Sequence, residues 1–407
     1  MKLHALPIVE QWDCHHCGAC CRETTVRLTA DDVARLEAQG WQEQPEFRGA
    51  RIFRRLAWLG GAKVLAHQED GSCVFLTAAG RCRIHEVHGA DAKPLACRQF
   101  PLQTVSTDRG TLATALRSCP SAAADRGRRL ADHVPFLKRL LDESGWPSPA
   151  TLAPPVVRGA KRSWEEFHRV SDVLRRLLVD ERWPLVRRVV HALRFCTLVE
   201  QCRWNRPEAK SVGPLLEMLE QSAAADAGAL FQDRRPPAAR TTRLFRRLGA
   251  HFIRCYPGGR PMRGVADHWR AFRSSGRLAR ATGTAPKLHP RFPAIALDQL
   301  ERPLGPLPSD VLRPLDRFFE AHAVSKRYTL ARPGERLVES ARRLAFAFPV
   351  AMWMLRWLAD GRPPTADDVV SIVVALERGL ELRALGPAAG FLAESDQLER
   401  LVAWYSR

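Results

Sequence analysis

The sequence predicts a mostly α-helical protein in two unequal parts, a small loop-rich domain followed by an all-helical domain. Eight of the 11 cysteines fall within the first 119 residues, where short helices alternate with loops. Beyond residue 156, apolar side chains recur at helical spacing in one segment after another. Between these parts lies GWPSPATLAPP, whose prolines are typical of a linker. We therefore predict domains at residues 1–144 and 156–407, joined by a linker at 145–155.

One helix is clearly predicted in the N-terminal part. In LTADDVARLEAQG, Thr29 can cap the first turn, and Asp32 follows three residues later, where an acidic side chain also favours the helix dipole. Gly40 supplies the stop signal. An Arg-rich stretch at residues 121–144 also has helical character. The rest of the first 120 residues is expected to be mostly loop with short helices.

The C-terminal part is predicted to contain a series of amphipathic helices. Ser163 and Glu166 have the spacing of a capping box, and Pro184 suits the first turn of the following helix. Further helices are predicted at residues 213–222, 240–255, 309–323, 337–358 and 366–384. The longest apolar run, LAFAFPVAMWML at residues 344–355, is shorter than the roughly 20 residues of a membrane span. We therefore predict that it is a buried helix and expect no association with a membrane.

The formal net charge of +19 is concentrated outside the N-terminal part. Residues 1–125 hold 15 Lys and Arg against 14 Asp and Glu, or +1, which leaves +18 for the remainder. Such a surface attracts polyanions or an acidic protein face, although solvated arginines of an Arg-rich chain would give the same charge. No basic motif interleaved with aromatic residues accompanies it. Nucleic-acid binding therefore rests on net charge alone, and an acidic partner protein is the better hypothesis.

The uneven cysteines indicate metal or redox chemistry. The opening segment MKLHALPIVEQW lacks the basic start and apolar block of a secretory signal, so we expect a cytoplasmic protein. Disulfides are disfavoured in that reducing compartment. Clustered thiols in such a chain are typical of metal sites. A metal would also explain how a loop-rich domain folds around so small a core.

The densest cluster is WDCHHCGACC at residues 12–21. The series Cys14-x2-Cys17-x2-Cys20 lets a tight loop aim three sulfurs at one centre, and bacterial ferredoxin motifs begin in the same way. Adjacent cysteines such as Cys20 and Cys21 diverge along the chain and rarely bind one ion together. The site therefore needs a remote fourth ligand, unless Cys21 serves a different site.

Four remote cysteines are available to complete the site. They are Cys73 in GSCVFL, Cys82 in GRCRIHE, Cys97 in PLACRQFP and Cys119 in ALRSCPSAA. Four thiolates complete a tetrahedral zinc site or an iron–sulfur cluster such as [4Fe–4S], so eight cysteines suffice for two sites or for one site with extra thiols. The predicted metal ligands are drawn from Cys14, Cys17, Cys20, Cys21, Cys73, Cys82, Cys97 and Cys119.

Other candidate ligands are given lesser roles. His15, His16 and His85 lie within or close to the cysteine motifs and are expected to be neighbours of the site or surface residues. Cys196 falls on an apolar helical face, and free cysteine packs as a small hydrophobic side chain. Cys202 and Cys255 have no partner at ligand spacing, so we predict core positions for these later cysteines.

The order of the cysteine motifs resembles a known bacterial family. C-x2-C-x2-CC, C-x-F-L, G-x-C-x-I-H and C-x2-F-P follow one another as in the cysteine-cluster proteins described as zinc- or iron-chelating. Within that group, GRCRIHEVHGADAKPLACRQFP and the later SCP of LRSCPSAAADRGRRL are similar to flagellin lysine N-methylases. The resemblance covers residues 12–130. It implies a [4Fe–4S] cluster held by the same eight cysteines, S-adenosylmethionine as methyl donor and a flagellin-like protein substrate.

The sequence also departs from what this resemblance implies. It contains no C-x3-C-x2-C triplet of the radical S-adenosylmethionine enzymes, and ALGPAAG at residues 384–390 is too weak a glycine-rich motif to mark a methyl-donor pocket. No catalytic residue can be named. Two hypotheses follow: a protein-lysine N-methyltransferase with an iron–sulfur cluster, or a non-enzymatic zinc- or iron-chelating module, sensor or carrier that docks an acidic partner through its basic helical domain.

Overall fold

Helices dominate the structure, which confirms the predicted mostly α architecture with a loop-rich N-terminal part. The chain is described here from a computed structural model. It covers residues 3–56, 61–147, 152–160, 162–202, 212–225, 227–259, 264–280, 282–332, 334–381 and 395–407. The ALGPAAG motif lies outside these residues. Within them, every strand precedes residue 130.

Short strands join the N-terminal loops, which the sequence analysis had treated as irregular. They are β1 (Leu3–Ala5), β2 (Gln11–Trp12), β3 (Phe53–Leu56), β4 (Ala62–Leu65), β5 (Leu102–Thr107), β6 (Gly110–Ala115) and β7 (Arg128–Arg129). β6 pairs in parallel with β1 and antiparallel with β5. β2 pairs antiparallel with β7, and β3 with β4. Strands of two to six residues are too short to show a clear alternation of apolar and polar side chains.

Six helices, most of them one or two turns long, lie among these strands. They are α1 (Ala19–Glu23), α2 (Ala30–Ala38), α3 (Arg83–His88), α4 (Leu95–Gln99), α5 (Pro120–Ala123) and α6 (Leu130–Ser144). The capping box predicted for α2 is confirmed: the Asp32 N–H donates to Thr29 Oγ1 at 3.0 Å, and the Thr29 N–H donates to Asp32 Oδ2 at 3.1 Å. α2 ends at Ala38, and Gly40 follows with a positive φ of 66°.

The helical stretch predicted at residues 121–144 is interrupted, so that prediction is wrong between α5 and α6. Asp125 and Gly127 have positive φ values of 47° and 124°, which no right-handed helix contains. The Gly127 Cα lies against the backbone of Trp12 and Asp13, where a side chain would collide. The chain turns here because β7 must reach β2, a tertiary pairing that local helical propensity does not reveal.

The C-terminal part is a helical assembly. Its helices are α7 (Trp164–Val179), α8 (Leu185–Gln201), α9 (Val212–Ala225), α10 (Ala227–Gln232), α11 (Ala239–Arg254), α12 (Gly264–Ala279), α13 (Ser309–Ser325), α14 (Arg327–Leu330), α15 (Leu337–Ala359), α16 (Ala366–Glu381) and α17 (Ser395–Tyr405). Ser163 caps α7, since its Oγ accepts from the Glu166 N–H at 3.4 Å. Pro184 immediately precedes α8 instead of lying inside its first turn.

The large core forms around α15, in which every residue of the predicted buried segment 344–355 is buried. α15 contacts α8, α11, α16 and α17. Cys196 is fully buried in this core, as predicted, and Cys202 and Cys255 pack half-buried against it. None of the described helices has the length and apolar character needed to cross a membrane.

The end of the proline-rich linker is packed instead of free. Ala153 and Val156 belong to the large core, each with 1% of its surface exposed. The Leu337 N–H donates to the Pro155 carbonyl at 2.9 Å. The end of the linker therefore packs against the start of α15.

Polar contacts join the N-terminal part to the helices. At the turn between β5 and β6, Asp108 Oδ1 lies 2.6 Å from Nε2 of His168 on α7, and the ammonium of Lys326 lies 3.1 Å from Nδ1 of the same ring. Arg378 on α16 donates to the Ser118 carbonyl at 3.4 Å. Beside that carbonyl, Ala123 at the end of α5 is buried in the large core. These contacts fix the loop before α5 against the helical part.

A substitution at the crossing of α11 and α15 tests how tightly the core is packed. A Cβ added at Gly249 would lie 2.7 Å from the Trp353 ring. We expect Gly249→Ala to lower the free energy of unfolding by about 1–3 kcal/mol, because overpacking outweighs the better helix propensity of alanine. The measurement is urea unfolding of the two proteins.

The matched control is Gly276→Ala on α12, where an added Cβ meets nothing within 4 Å. That change should raise stability by up to ~1 kcal/mol. Equal effects of the two substitutions would contradict the close packing of Gly249.

Candidate metal centre

All eight cysteines of the N-terminal part line one cavity of about 250 Å³. Its wall contains Cys14, Cys17, Cys20, Cys21, Cys73, Cys82, Cys97 and Cys119. On the same measure a single water needs only ~10–15 Å³, so the space is large enough for a cluster or for more than one ion. The structure thus brings the predicted cysteines together from five separate parts of the chain.

The chemistry of the cavity wall is that of a site for soft metals. Its donor groups are thiols and the imidazoles of His15, His16 and His85, and no carboxylate belongs to the described residues of the wall. Thiolate and imidazole suit zinc, iron–sulfur clusters and copper(I), whereas magnesium and calcium require oxygen ligands. The donor set therefore fits a thiophilic metal.

The first half of WDCHHCGACC is attached to one side of the cavity. β2 pairs with β7, and the Asp13 N–H donates to the Arg126 carbonyl at 3.0 Å. Ser121 Oγ donates to the Asp13 carbonyl at 2.7 Å and lies 2.5 Å from Nδ1 of His15. Cys14 and Cys17, both exposed, are therefore held beside α5.

The second half of the same segment is attached to the opposite side. Gly18 has a φ of 68°, and a Cβ there would lie 2.9 Å from the Gly80 carbonyl oxygen, so only glycine fits this approach. α1 begins at the next residue. The Cys73 N–H then donates to the Cys21 carbonyl at 2.6 Å. Gly18 thus marks the point at which the cysteine segment passes from one wall to the other.

Short helices position the remote cysteines on this second wall. Cys82 immediately precedes α3, and Cys97 lies within α4. α4 is held by Asp32 of α2, whose Oδ1 accepts from the Leu95 N–H at 2.9 Å. The side chains of Cys21, Cys73, Cys82 and Cys97 pack against one small hydrophobic core that includes Trp41, Phe75 and Ile84.

Cys119 belongs to a different hydrophobic core. It immediately precedes α5 and packs with Trp12, Leu102 and Leu137. Its side chain is 8% exposed. Burial raises the pKa of the Cys119 thiol to about 11, while backbone N–H groups of α5 and the Trp12 indole act in the opposite direction. The first turn of α5 and Trp12 are therefore placed to stabilise a thiolate at this position.

The buried thiols of the second wall are neutral at ordinary pH. Burial, with the neighbouring Cys82 and Cys20, raises the pKa of Cys73 to about 12. The pKa of Cys97 rises for the same reasons, through burial and then Cys73, Cys20 and Cys82. For Cys20 the main cause of a raised pKa is its contact with Cys21, whose sulfur lies 4.0 Å away, followed by burial. A coordinating metal would deprotonate these thiols outright.

A buried polar atom supports the fit of a metal. His85 Nδ1 is inaccessible and has no hydrogen-bond partner among the described residues, and His85 lines the cavity. Buried polar groups without partners are rare in folded proteins. An imidazole nitrogen can bind a metal.

The sulfurs face a common space without forming a compact set of ligands. Across the described ranges, no three Cys, His, Asp or Glu side chains stand close enough together to hold a metal ion. His15 and His16 are exposed, and the His16 and His85 rings lie 4.8 Å apart. These histidines therefore adjoin the cysteines, as predicted, and their roles stay a prediction.

A buried ion pair supports the loop before Cys119. Arg117 donates to the Ala122 carbonyl at 2.6 Å and to Asp125 Oδ1 at 2.9 Å, and it lies 3.4 Å from Oε1 of Glu10. Glu10 itself is 2% exposed. Its burial raises its pKa to about 7, although Arg117 lowers it. This network fixes the turn that presents Cys119.

Trp12, Lys93 and Arg98 are among the wall residues that the sequence did not predict. Lys93 favours the thiolate forms of Cys20 and Cys97, because its positive charge lowers the pKa of both. It lies four residues before Cys97 in KPLAC but outside α4, so helical periodicity could not have predicted its position beside the thiols. Trp12 and Arg98 lie next to cysteine motifs, but adjacency in the sequence does not show whether a side chain lines the cavity.

Comparison with known proteins bears on this part of the chain. Residues 13–120 match the model of the CxxCxxCC family, described as "Putative zinc- or iron-chelating domain". The match spans the segment that lines the cavity and supports metal chelation by the cysteine cluster. No curated protein and no solved structure matches the chain.

We expect Lys93→Met to weaken metal binding by a similar factor at every accessible pH. Metal ligands must be deprotonated, and without the ammonium the thiols of Cys20 and Cys97 give up their protons less readily. Because both thiols are protonated throughout that range, the expected loss of zinc affinity is about threefold to tenfold, or ~1 kcal/mol, at each pH. Competition titrations with a zinc indicator at several pH values measure it.

The control for that experiment is Lys138→Met. Lys138 is exposed on α6 and does not line the cavity. If both variants bind zinc like the wild type at every pH, Lys93 does not act on the thiols.

Glu10 should impose a pH dependence on stability. Its folded pKa of about 7 lies above the ordinary 4.5, so the folded state binds more protons between these values. The free energy of unfolding therefore falls as pH rises through that window and levels off above it. Glu10→Gln should remove this decline, so that the variant gains up to ~3 kcal/mol relative to the wild type between pH 4.5 and pH 8. Urea unfolding at these two pH values tests it.

Glu69→Gln is the matched control, because Glu69 is exposed on the surface of the same part of the chain. It should show no such gain. A wild-type protein and a Glu10→Gln variant with parallel pH profiles would mean that Glu10 stays ionised when folded.

Proposed function

We propose that residues 13–120 bind a metal through cysteine thiolates and that the centre is an iron–sulfur cluster. The observation that carries the proposal is the single cavity lined by all eight cysteines without a carboxylate. Support also comes from the match of this segment to a zinc- or iron-chelating family model. The residues that would hold the metal are those eight cysteines.

The size of the cavity favours a cluster over one zinc ion. A single tetrahedral zinc needs four sulfurs at about 2.3 Å. A cavity of about 250 Å³ with eight cysteines in its wall offers more room and more ligands than that. Bridging sulfides would fill the space that the thiolates leave. Zinc remains the alternative metal, since its ligand preferences are the same.

The metal would also supply stability that the small cores lack. The two hydrophobic cores beside the cavity are small, with ten and nine buried residues, and small domains commonly depend on metals or disulfides. All eight cysteines are free thiols here. Binding a metal to them would convert the coordination free energy into folding free energy.

On this basis we extend the proposal to methyl transfer. The order of motifs resembles the flagellin lysine N-methylases, so the finer hypothesis is S-adenosylmethionine-dependent methylation of a protein lysine. The helical part would position the protein substrate. A group able to take a proton from the lysine ammonium is required, and the described cavity wall offers thiols, the imidazoles of His15, His16 and His85, and the amine of Lys93.

A non-enzymatic chelating module is the second candidate function. The absence of any carboxylate from the described wall of the cavity favours it, because general-base chemistry commonly uses Asp or Glu as well as His. In this case the metal would be structural, sensed or carried, and the basic helical part would dock an acidic partner.

The first experiment is anaerobic purification with iron, zinc and acid-labile sulfide assayed on one sample. About four irons and four sulfides per chain would support a [4Fe–4S] centre. Zinc without sulfide would exclude the iron–sulfur cluster and favour the chelating module. A protein with neither metal would overturn the proposal. Binding of S-adenosylmethionine by the metal-loaded protein, and methyl transfer to a flagellin, then test the enzymatic hypothesis.

We expect Cys97→Ala to lose bound metal, whereas Cys196→Ala keeps it. Cys97 faces the cavity, but Cys196 is fully buried in the helical core. Removing the sulfur of Cys196 should leave only a small void and a stability loss of about 1 kcal/mol. Metal per chain, measured with the unfolding curves, separates the two effects. Metal loss in Cys196→Ala would contradict its assignment to the core.

A further inference from the structure

Resting on the proposed metal binding, we infer that seven of the eight cysteines form two separate centres on different walls of the cavity, with Cys21 outside both. The closed centre consists of Cys20, Cys73, Cys82 and Cys97. The open centre consists of Cys14, Cys17 and Cys119, with its fourth ligand position facing solvent. Each would take a thiophilic metal ion or cluster, and the open one would also accept an external donor ligand such as a thiol.

The WDCHHCGACC segment is attached to different parts of the N-terminal fold before and after Gly18. Before Gly18, the backbone of Asp13 bonds to Arg126 and Ser121, so Cys14 and Cys17 stay with α5. After Gly18, the Cys21 carbonyl accepts from the Cys73 N–H, which holds α1 on the other wall. The evenly spaced C-x2-C-x2-C series is therefore not directed at one centre.

The hydrophobic cores make the same division. Cys73, Cys82 and Cys97, together with Cys21, pack against the core of Trp41 and Phe75, and the bond between Cys73 and Cys21 keeps α1, with Cys20, on that wall. Cys119 packs against another core, that of Trp12 and Leu137. Because each core holds its cysteines in place independently, a metal on one wall can be bound without the other.

The two centres differ in charge and in access. Four thiolates around a divalent ion carry a net charge of −2, and Lys93 lies where it offsets that charge at Cys20 and Cys97. Three thiolates around the same divalent ion carry a net charge of −1. Two of the three open-centre cysteines, Cys14 and Cys17, are exposed, whereas the closed-centre cysteines are half-buried or buried. Three protein ligands with an open fourth position are typical of reactive metal sites, and four are typical of structural ones.

The test is anaerobic titration of the full-length apo protein with cobalt(II), whose thiolate charge-transfer bands report the bound metal. The wild type should bind about two equivalents. The Cys82→Ser/Cys97→Ser and Cys17→Ser/Cys119→Ser double variants should each bind about one, with different spectra. Added thiol should alter the spectrum of the first variant only. Cys202→Ser, a thiol outside the cavity, is the control and should behave like the wild type.

Two further variants keep the test decisive if a double variant misfolds. Cys20→Ser should reproduce the spectrum of the Cys82→Ser/Cys97→Ser protein, and Cys14→Ser that of the other double variant. If each pair of substitutions abolishes all cobalt binding, the cysteines form one centre and the inference is wrong. A wild-type protein that binds no cobalt would instead overturn the proposed metal binding itself.

Discussion

Eight thiols facing one internal space are the constraint on which the N-terminal part depends. Small hydrophobic cores lie on either side of that space, and short strands and one- or two-turn helices bring the cysteines to its wall. Neutral thiols can be buried at little cost, since cysteine packs as a small hydrophobic side chain. Metal bound to these thiols would add strong bonds beside each core. The fold of this part and its proposed chemistry therefore depend on the same atoms.

Much of the helical architecture could be predicted from the sequence, because its signals are local. Thr29 and Ser163 cap helices at the predicted positions, and the apolar run 344–355 is buried in α15 as expected. The set of cysteines around the cavity was also predictable, because cysteines clustered at ligand spacing are typical of metal sites. Their assignment as ligands remains a prediction.

The features that sequence analysis missed all depend on contacts between distant residues. The strands are too short to have a periodicity, and β7 interrupts an apparently helical stretch because it pairs with β2. The division of the cysteine segment at Gly18 follows from its contact with Gly80 and from the bond between Cys73 and Cys21. The spacing of the cysteines shows only which sulfurs are neighbours in sequence. The contacts of the segment with distant residues decide which sulfurs are neighbours in space.

Helix α5 has a mechanical consequence for the whole protein. It is only four residues long, about 6 Å, with Cys119 before its first residue at the cavity and Ala123 at its end inside the helical core. Next to it, Arg378 of α16 holds the Ser118 carbonyl. The cavity and α16 therefore meet through a single turn of helix. If ligation at Cys119 alters the packing of α16, reciprocity requires that any molecule whose binding shifts α16 changes the affinity at the sulfur by the same factor as ligation changes its own.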